Sequence, residues 1–382
     1  MRMMIRNAVA LGAIALLVTA CGSATGASPS SSKAPSSTSG SRASSSAAGS
    51  PALSAGRFLA CMVTDTGGID DKSFNQSSWE GMQEAQAAEP GKITVKYLPS
   101  ASGSDYTPNI NTFIGEKCGI ILTVGLLMGD NTEAAAQAHP NQKFAIVDYD
   151  YSPPIKNIDA LMFNTVQDGF LGGYLAAGLS KSGAVGTFGG EELPTVTIYM
   201  DGFWDGVQYY NRQHHTGVKV LGWNEQTRTG LFTGNFTDQA MGQDATQALI
   251  SEGADVIFPV AGDGGLGAAK AVQDADAAAG STKVTMEWAD TDGCFSAPQY
   301  CKYFISSVTQ GIQTAVKNAV LSAANGTFTG GNYVGDLANG GVALSPFHDF
   351  ASQVPTSLRS ELLAIKAEII SGQIKPATKS PA

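Results

Sequence analysis

From Arg57 onward, short apolar runs alternate with alanine-rich stretches, and this alternation constrains the fold more than any other feature of the sequence. Short apolar runs are typical of buried strands, and amphipathic stretches between them are typical of helices. A βαβ series of this kind builds a parallel sheet with helices on both faces. The predicted strands of the first series are RFLACMVT (57–64), ITVKYLP (93–99), GIILTVG (119–125), KFAIVDY (143–149) and DALMFN (159–164), and its predicted helices span 75–89, 107–117 and 131–140.

A second series of the same kind follows, so the sequence predicts two α/β lobes in tandem. Its predicted helices span 168–182, 196–213, 238–253 and 267–280, and its predicted strands span 184–190, 218–223, 254–261 and 283–290. A strand KYFISSV and helices over 311–326 and 355–372 complete the pattern. When the carboxyl ends of two such sheets face one crevice, that crevice is the expected ligand site.

The amino-terminal segment indicates export and lipid anchoring. Arg2 and Arg6 precede an apolar run over 8–18, which is too short to span a bilayer comfortably. The run ends in VTAC, which resembles a bacterial lipobox, so we expect residues 1–20 to be a signal peptide and Cys21 to carry lipid. The alternative is an ordinary secretory signal with an accidental cysteine.

Residues 21–56 are almost entirely Ser, Ala, Gly, Thr and Pro. A segment without periodic apolar residues cannot bury a core, so we expect a disordered tether. As a flexible coil it would span roughly 30 to 35 Å and hold the folded part just off the membrane.

The cysteines indicate an oxidising compartment. With Cys21 acylated, four remain, and they allow three pairings. We favour Cys61 with Cys118, because each lies at a predicted strand, and Cys294 with Cys301, because the segment between them can close on itself. The sequence lacks CxxC, and His214 and His215 form its only histidine cluster, so we expect no metal site.

A formal charge of −10 argues against a protein that gains affinity by neutralising phosphates, so we expect no nucleic-acid partner.

Polar and aromatic residues follow several predicted strands. They are Asp65, Phe74 and Asn75 after the first strand, Asp148 after the fourth, Gly262 in the segment AGDGG, and Asp290. Carboxylates and amides bind hydroxyls and ring nitrogens directionally, glycine permits close backbone approach, and an exposed Phe offers a stacking face. This set suits a flat heterocycle that carries a sugar.

Each of these residues also has a purely structural interpretation. Asp65, Asp148 and Asp290 fit turns at strand ends, whereas Phe74 fits a hydrophobic staple and Asn75 a helix cap. Phe258 and Trp204 are also candidates for ligand binding, although Phe258 lies in a continuous apolar run and Trp204 on an amphipathic helix face, which favours the core for both.

Residues from about 57 to 326 resemble the basic membrane protein family of substrate-binding lipoproteins, whose characterised PnrA-like members bind purine nucleosides for an ABC transporter. The segments that carry the resemblance are VTDTGGIDDKSFNQSSWEGM, FAIVDYD, FLGGYLAAGLS, VGTFGG, DGFWDGV, NFTD, GADVIFPVAGDGGLGAA and WADTDG. The resemblance implies a type I periplasmic-binding-protein fold, with two Rossmann-like lobes that are joined by a hinge and close on a ligand. The expected lobes are 57–163 with about 311–330, and 164–310 with about 331–376.

The resemblance also implies roles for individual residues. Asp65 and Asn75 would bind the base, Phe74 and Phe258 would cover its two faces, and Asp148 and Asp290 would hold sugar hydroxyls. The family's SxxK motif, whose lysine reaches the sugar, is replaced here by a segment that ends in Gln310, which brings no charge. The family's DxDQ motif is also altered, because Gly293 and Cys294 follow Asp292.

We therefore expect a monomeric, non-enzymatic protein without a cofactor that delivers a purine nucleoside to an ABC permease. A sensor or adhesin on the same fold is an open alternative. TDTGGIDD partly resembles the aspartate cluster of calcium-dependent nucleoside hydrolases, but we find no second carboxylate group to complete a calcium site. Gly262, Gly264 and Gly267 match GxGxxG with Glu287 further on, which is weak evidence for a dinucleotide site in a glycine-rich chain.

Overall fold

Both predicted series of strands form sheets in the computed structural model, which describes residues 57–380. The expected signal peptide, Cys21 and the tether lie outside the described residues. The described residues belong to one compact unit. The predicted alternation of strands and helices is confirmed along both lobes, with most boundaries within three residues of those expected.

The first lobe begins with five parallel strands and three helices. Its central strands are buried on both faces, which explains their continuous apolar runs. The elements are β1 (Phe58–Val63), α1 (Phe74–Ala88), β2 (Ile93–Leu98), α2 (Tyr106–Gly115), β3 (Ile120–Val124), α3 (Gly129–Ala138), β4 (Phe144–Val147) and β5 (Ile158–Phe163).

The second lobe repeats the pattern and adds a small hairpin that the sequence did not predict. Two-residue strands have no detectable periodicity, so the sequence pattern did not predict the hairpin strands Trp223–Asn224 and Thr229–Gly230. The elements are α4 (Thr165–Leu179), β6 (Ala184–Gly189), α5 (Pro194–His214), β7 (Lys219–Leu221), β8 (Trp223–Asn224), β9 (Thr229–Gly230), α6 (Gln239–Ser251), β10 (Val256–Val260), α7 (Gly264–Ala279), β11 (Thr285–Asp290), α8 (Gly293–Ser296) and β12 (Phe304–Gln310).

The chain then returns to the first lobe before it ends in the second. The remaining elements are α9 (Ile312–Ala324), β13 (Gly331–Gly335), β14 (Val342–Leu344) and α10 (Thr356–Ile370). We expected the chain to leave the first lobe at about residue 330, but β13 still pairs with β5 in the first sheet. This edge strand is framed by glycines and alternates between partly buried and exposed residues, so it carries no apolar run. Helix α10 packs on α4.

The strand order places a topological switch point in each sheet. The first sheet runs β2-β1-β3-β4-β5-β13, and the second runs β7-β6-β10-β11-β12-β14, with only β14 antiparallel. The order reverses between β1 and β3 in the first sheet and between β6 and β10 in the second. Ligands bind outside the carboxyl ends of strands at such points.

Three short connections join the lobes, namely β5 to α4, β12 to α9 and β13 to β14. Backbone hydrogen bonds tie them together, since Asn164 donates to Gly335 and Gly311 donates to Gly341. These connections form the expected hinge region.

The structure contains both expected disulfides. Cys61 lies in β1 and Cys118 directly before the neighbouring β3, with 6.0 Å between their Cα atoms. Cys294 and Cys301 close a short loop, with Cα atoms 4.5 Å apart.

Candidate ligand-binding site

A cavity lies between the two sheets, at the carboxyl ends of their strands. Its walls include residues after β1 and β3 and residues after β10, so it lies at the switch points of both sheets. Gly125 follows β3, and a Cβ there would lie 2.5 Å from Asp65 Oδ2, so only glycine permits this approach. The lining residues are Asp65, Thr66, Gly67, Asp71, Phe74, Asn75, Gly125, Leu126, Leu127, Asp148, Leu193, Thr195, Val196, Tyr199, Phe236, Val260, Ala261, Gly262, Asp290 and Gln310.

An acid and an amide occupy the end of the cavity nearest α1. Asn75 Nδ2 donates to Asp65 Oδ1 at 2.8 Å and to Asp71 Oδ2 at 3.2 Å. Burial raises the pKa of Asp65 to about 8, opposed by the hydrogen bond from Asn75 and assisted by the charge of Asp71. Asn75 Oδ1 is buried and has no hydrogen-bond partner among the described residues. The pair therefore offers a ligand an unused acceptor beside a carboxyl group that protonates easily.

Asp71 holds this end of the site in place. Its carboxylate accepts the backbone N–H groups of Ser73, Asn75 and Gln76, at 3.1, 2.8 and 3.0 Å, as α1 begins. The first amides of a helix have no partner within the helix, so a carboxylate stabilises them. Asp71 therefore positions Asn75 and Phe74 for the cavity.

Aromatic side chains from both lobes line the cavity. Phe74 is the first residue of α1, and Phe236 lies in the loop before α6. A Cβ at Gly190 would lie 2.3 Å from the Phe236 ring, and one at Gly262 would lie 2.9 Å from its backbone oxygen. Only glycines at these two positions leave room for Phe236.

Two aspartates and a glutamine form the polar end. Asp290 Oδ1 accepts hydrogen bonds from Tyr199 Oη at 2.9 Å and Gln310 Nε2 at 3.2 Å. Burial raises the pKa of Asp290 to about 6, opposed by these hydrogen bonds. Burial also raises the pKa of Asp148 well above its usual range, and the charges of Asp290 and Asp65 add to the effect. Both Asp148 and Asp290 have positive φ, at 64° and 68°, an unfavourable backbone geometry that often marks functional positions.

The two lobes touch at the mouth of this cavity. Ser73 Oγ donates to Asp290 Oδ2 at 2.5 Å, across the cleft. Trp288 Nε1 and Thr291 Oγ1 donate to the backbone oxygen of Lys72, at 3.1 and 3.2 Å. The structure therefore shows the lobes bridged over the cavity.

The structure brings together seven of the nine ligand-binding candidates: Asp65, Phe74, Asn75, Asp148, Gly262, Asp290 and Gln310. The expected position of Phe258 at the ligand is corrected by the structure, because Phe258 is fully buried and stacks on Phe203 with ring centroids 5.4 Å apart. It lies inside β10, whereas only residues at the end of that strand reach the cavity. Trp204 is also outside the lining, because it lies five residues beyond Tyr199 and points to a different face of α5.

Phe236 and Tyr199 line the cavity but were not predicted. Phe236 belongs to the NFTD segment, which follows no long strand. The pattern of polar and aromatic residues after strands therefore did not predict its place in the site. Tyr199 lies three residues after Val196, on the face of α5 that meets the cavity, and helical spacing alone did not separate this face from the core.

The GxGxxG match and the TDTGGIDD segment, which also resemble other kinds of binding site, have structural roles here. A Cβ at Gly267 would lie 1.8 Å from the backbone oxygen of Gln239, so this glycine packs α7 on α6. Asp71 of the TDTGGIDD segment caps α1. Among residues 57–380, the one group of three potential metal-ligating side chains is Asp292, Cys294 and His348, and its Cys294 is in a disulfide.

The chain matches the family described as ABC transporter substrate-binding protein PnrA-like over residues 58–377. A Listeria monocytogenes protein named CD4+ T-cell-stimulating antigen is 30% identical over 332 residues, which cover 84% of this chain and 88% of that protein. The ABC transporter nucleoside-binding protein BmpA of Lactococcus lactis subsp. cremoris is 28% identical, covering 84% and 89%. An ABC transporter solute-binding protein from Aeropyrum pernix K1 superimposes with a TM-score of 0.76 at 24% identity, covering 85% of this chain and 94% of that one. This last similarity shows the solute-binding-protein fold.

Proposed function

This chain belongs to the PnrA-like family of ABC transporter substrate-binding proteins, and from that premise we propose that it captures a purine nucleoside between its lobes and delivers it to a membrane permease. The observation that carries the proposal is the cavity at the two switch points, with aromatic rings from both lobes at its walls and hydrogen-bonding groups at both ends. A purine presents two apolar faces and a polar edge, and its sugar presents hydroxyls.

The base is assigned to the end of the cavity near α1. Phe74 and Phe236 supply stacking faces from opposite lobes, so a base between them would connect the lobes. Asp65 and Asn75 then meet the polar edge of the base. The unpartnered Asn75 Oδ1 accepts an N–H of the base, which satisfies an atom that is otherwise buried without a hydrogen bond.

The sugar is assigned to Asp148, Asp290 and Gln310. Carboxylates accept hydrogen bonds from hydroxyl groups, and Asp290 is already oriented by Tyr199. In this arrangement every polar group contacts the ligand by hydrogen bonding, and no residue is assigned a chemical step. We therefore propose a binding protein without catalytic activity.

We propose that the mature protein is anchored by lipid on Cys21 at the outer face of the cell membrane. The basic start, short apolar run and VTAC sequence support this placement. Within residues 57–380, none of the helices combines the length and apolar character that crossing a bilayer requires.

Mass spectrometry of small molecules released by denaturing the purified protein tests the proposed ligand, because a cleft with bridged lobes retains its ligand during purification. We expect a purine nucleoside in near-stoichiometric amount. Phe74→Ala should lose it, whereas Phe328→Ala, which truncates a half-buried phenylalanine outside the cavity lining, should retain it. A retained sugar, amino acid or peptide would overturn the nucleoside assignment.

A further inference from the structure

Three cavities meet at Gln310. Besides the cavity already described, two further pockets between the lobes are lined by Gln310. Gln310 lines all three, Asp290 lines the first two, and Asp148 lines the first and third. The polar end of the site is therefore the junction of the whole cleft between the lobes.

The junction has hydrogen-bond acceptors that lack donors. Gln310 is only 6% exposed, and its Nε2 is used by Asp290, which leaves Oε1 without a partner among the described residues. The Asp148 carboxylate, 8% exposed, receives no hydrogen bond from any described residue. A buried acceptor without a donor is unfavourable, so the junction is complementary to a ligand that donates several hydrogen bonds.

The junction also lacks a positive charge. Among the described residues that line the three cavities there is no lysine, arginine or histidine, whereas seven carboxylates are present. They are Asp65, Asp71, Glu80, Asp148, Asp150, Asp290 and Asp292. Asp292 is already paired with His348 Nε2 at 2.7 Å, and Asp150 is exposed. Asp148 and Asp290 at the junction are buried and have no cationic partner among the described residues, which favours the arrival of a cation and disfavours an anion.

We propose that the Gln310 junction binds an amino group, so that nucleosides carrying an amine on the sugar are better ligands than those carrying only hydroxyls. The inference rests on the proposed function and specifies the ligand class of the same site. A protonated amine donates three hydrogen bonds, to Gln310 Oε1 and to the carboxylates of Asp148 and Asp290, whereas a hydroxyl donates one. By the same reasoning, the junction rejects a phosphate.

Calorimetric titration at pH 7 tests this preference. The ligands are adenosine, its 2′-, 3′- and 5′-amino-deoxy analogues, and adenosine 5′-monophosphate, so the result does not depend on which sugar position faces Gln310. We expect at least one amino analogue to bind roughly tenfold or more tightly than adenosine, because hydrogen bonds to ionised groups are about twice as strong as neutral ones. The monophosphate should bind at least about tenfold more weakly than adenosine, because no lysine, arginine or histidine lines the cavities to compensate for burial of its charge.

Two variants test whether the junction causes the preference. Gln310→Lys supplies the missing cation, and Asp148→Asn removes one carboxylate with little change of shape, so each should bring the ratio of amine to adenosine affinity close to one. Asp159→Asn, which alters a half-buried carboxyl group outside the three cavities, is the control and should leave the ratio unchanged.

The outcomes separate the two proposals. If adenosine binds and no amino analogue binds more tightly, the amine preference is refuted and the nucleoside assignment stands. If the preference persists in both variants, the junction is not its source and the inference is also refuted. If no nucleoside or amino analogue binds the wild type at millimolar concentration, the proposed function and the inference both fail.

Discussion

At the scale of single residues, Phe74 is the side chain whose truncation tests base stacking most cleanly. It is half-buried at the start of α1 and lines the cavity. We expect Phe74→Ala to weaken nucleoside binding by about 1 to 3 kcal/mol, a roughly 5- to 150-fold loss of affinity, because the base loses one stacking face. Calorimetry measures the change, with Phe328→Ala as the matched control. Equal affinities of wild type and Phe74→Ala would contradict the assigned role.

Glu287 is a second informative residue, because it is a carboxyl group buried without a partner. It is fully buried on β11, and neither of its carboxyl oxygens has a hydrogen bond among the described residues. Burial raises the pKa of Glu287 to about 8 from the usual 4.5. Because the folded-state pKa is the higher one, the stability that this group contributes is fully present below about pH 4.5 and is lost as the pH rises toward 8.

We expect Glu287→Gln to remove this loss of folding stability at high pH. The variant should resemble the wild type in stability at pH 5 and exceed it at pH 8, by on the order of 3 kcal/mol, because an amide does not ionise. Denaturant unfolding of both proteins at the two pH values measures the difference. A difference in unfolding free energy that is the same at both pH values would show that ionisation of Glu287 is not responsible.

At the scale of elements, the pair of helices α4 and α5 depends on glycines. A Cβ at Gly173 would lie 2.0 Å from the backbone oxygen of Phe203, and one at Gly206 would lie 2.0 Å from that of Phe170. The two backbones therefore approach too closely for any side chain at these positions.

We expect Gly206→Ala to force the helices apart and destabilise the protein by about 1 to 3 kcal/mol. Gly115→Ala is the matched control, since Gly115 ends α2 with open space around it and a helical alanine there should stabilise by about 0.5 to 1 kcal/mol. Thermal unfolding of both variants measures the two effects. A neutral Gly206→Ala would contradict the close packing.

The strands and helices of this fold were largely predictable, because each long element has a repeating pattern. Helix α5 was expected over 196–213 and spans Pro194–His214. The strand β13 was not predictable, because its pairing with β5 depends on a contact between residues about 170 positions apart in sequence. A local sequence pattern is enough to predict a long helix or a central strand, but the formation of an edge strand depends on the strand that it pairs with.

The site was predictable where it depends on strand ends and not where it depends on packing. Asp65 and Asp148 follow strands, Asp290 is the last residue of one, and all three line the cavity. Phe258 was misplaced because a strand buried on both faces gives no signal for which side chain reaches a cleft. Phe236 was missed because two glycines far apart in sequence, Gly190 and Gly262, make its position.

At the scale of the whole molecule, the lobes are joined by three connections and bridged at the opposite side by Ser73 and Asp290. A ligand in the cavity therefore contacts both lobes, and its binding favours the bridged arrangement over an open one. For the proposed function, this is the physical basis for capture and release of the ligand.

The proposed anchoring to the membrane is also tested on the whole molecule. With the proposed lipid on Cys21, we expect the mature wild-type protein to partition into detergent and Cys21→Ala to appear in the aqueous phase. Detergent phase separation of cells expressing each form measures the difference. Equal membrane retention of the two forms would contradict lipidation at Cys21.

Calorimetric titration of the ligand-free wild-type protein is the decisive test of the proposed binding of a purine nucleoside in the cleft. Inosine, adenosine and guanosine are compared with their free bases and with ribose. We expect at least one nucleoside to bind with a stoichiometry of one and more tightly than its free base or ribose, because the base and the sugar contact different ends of the cavity. No binding of any of the three nucleosides at millimolar concentration would contradict it.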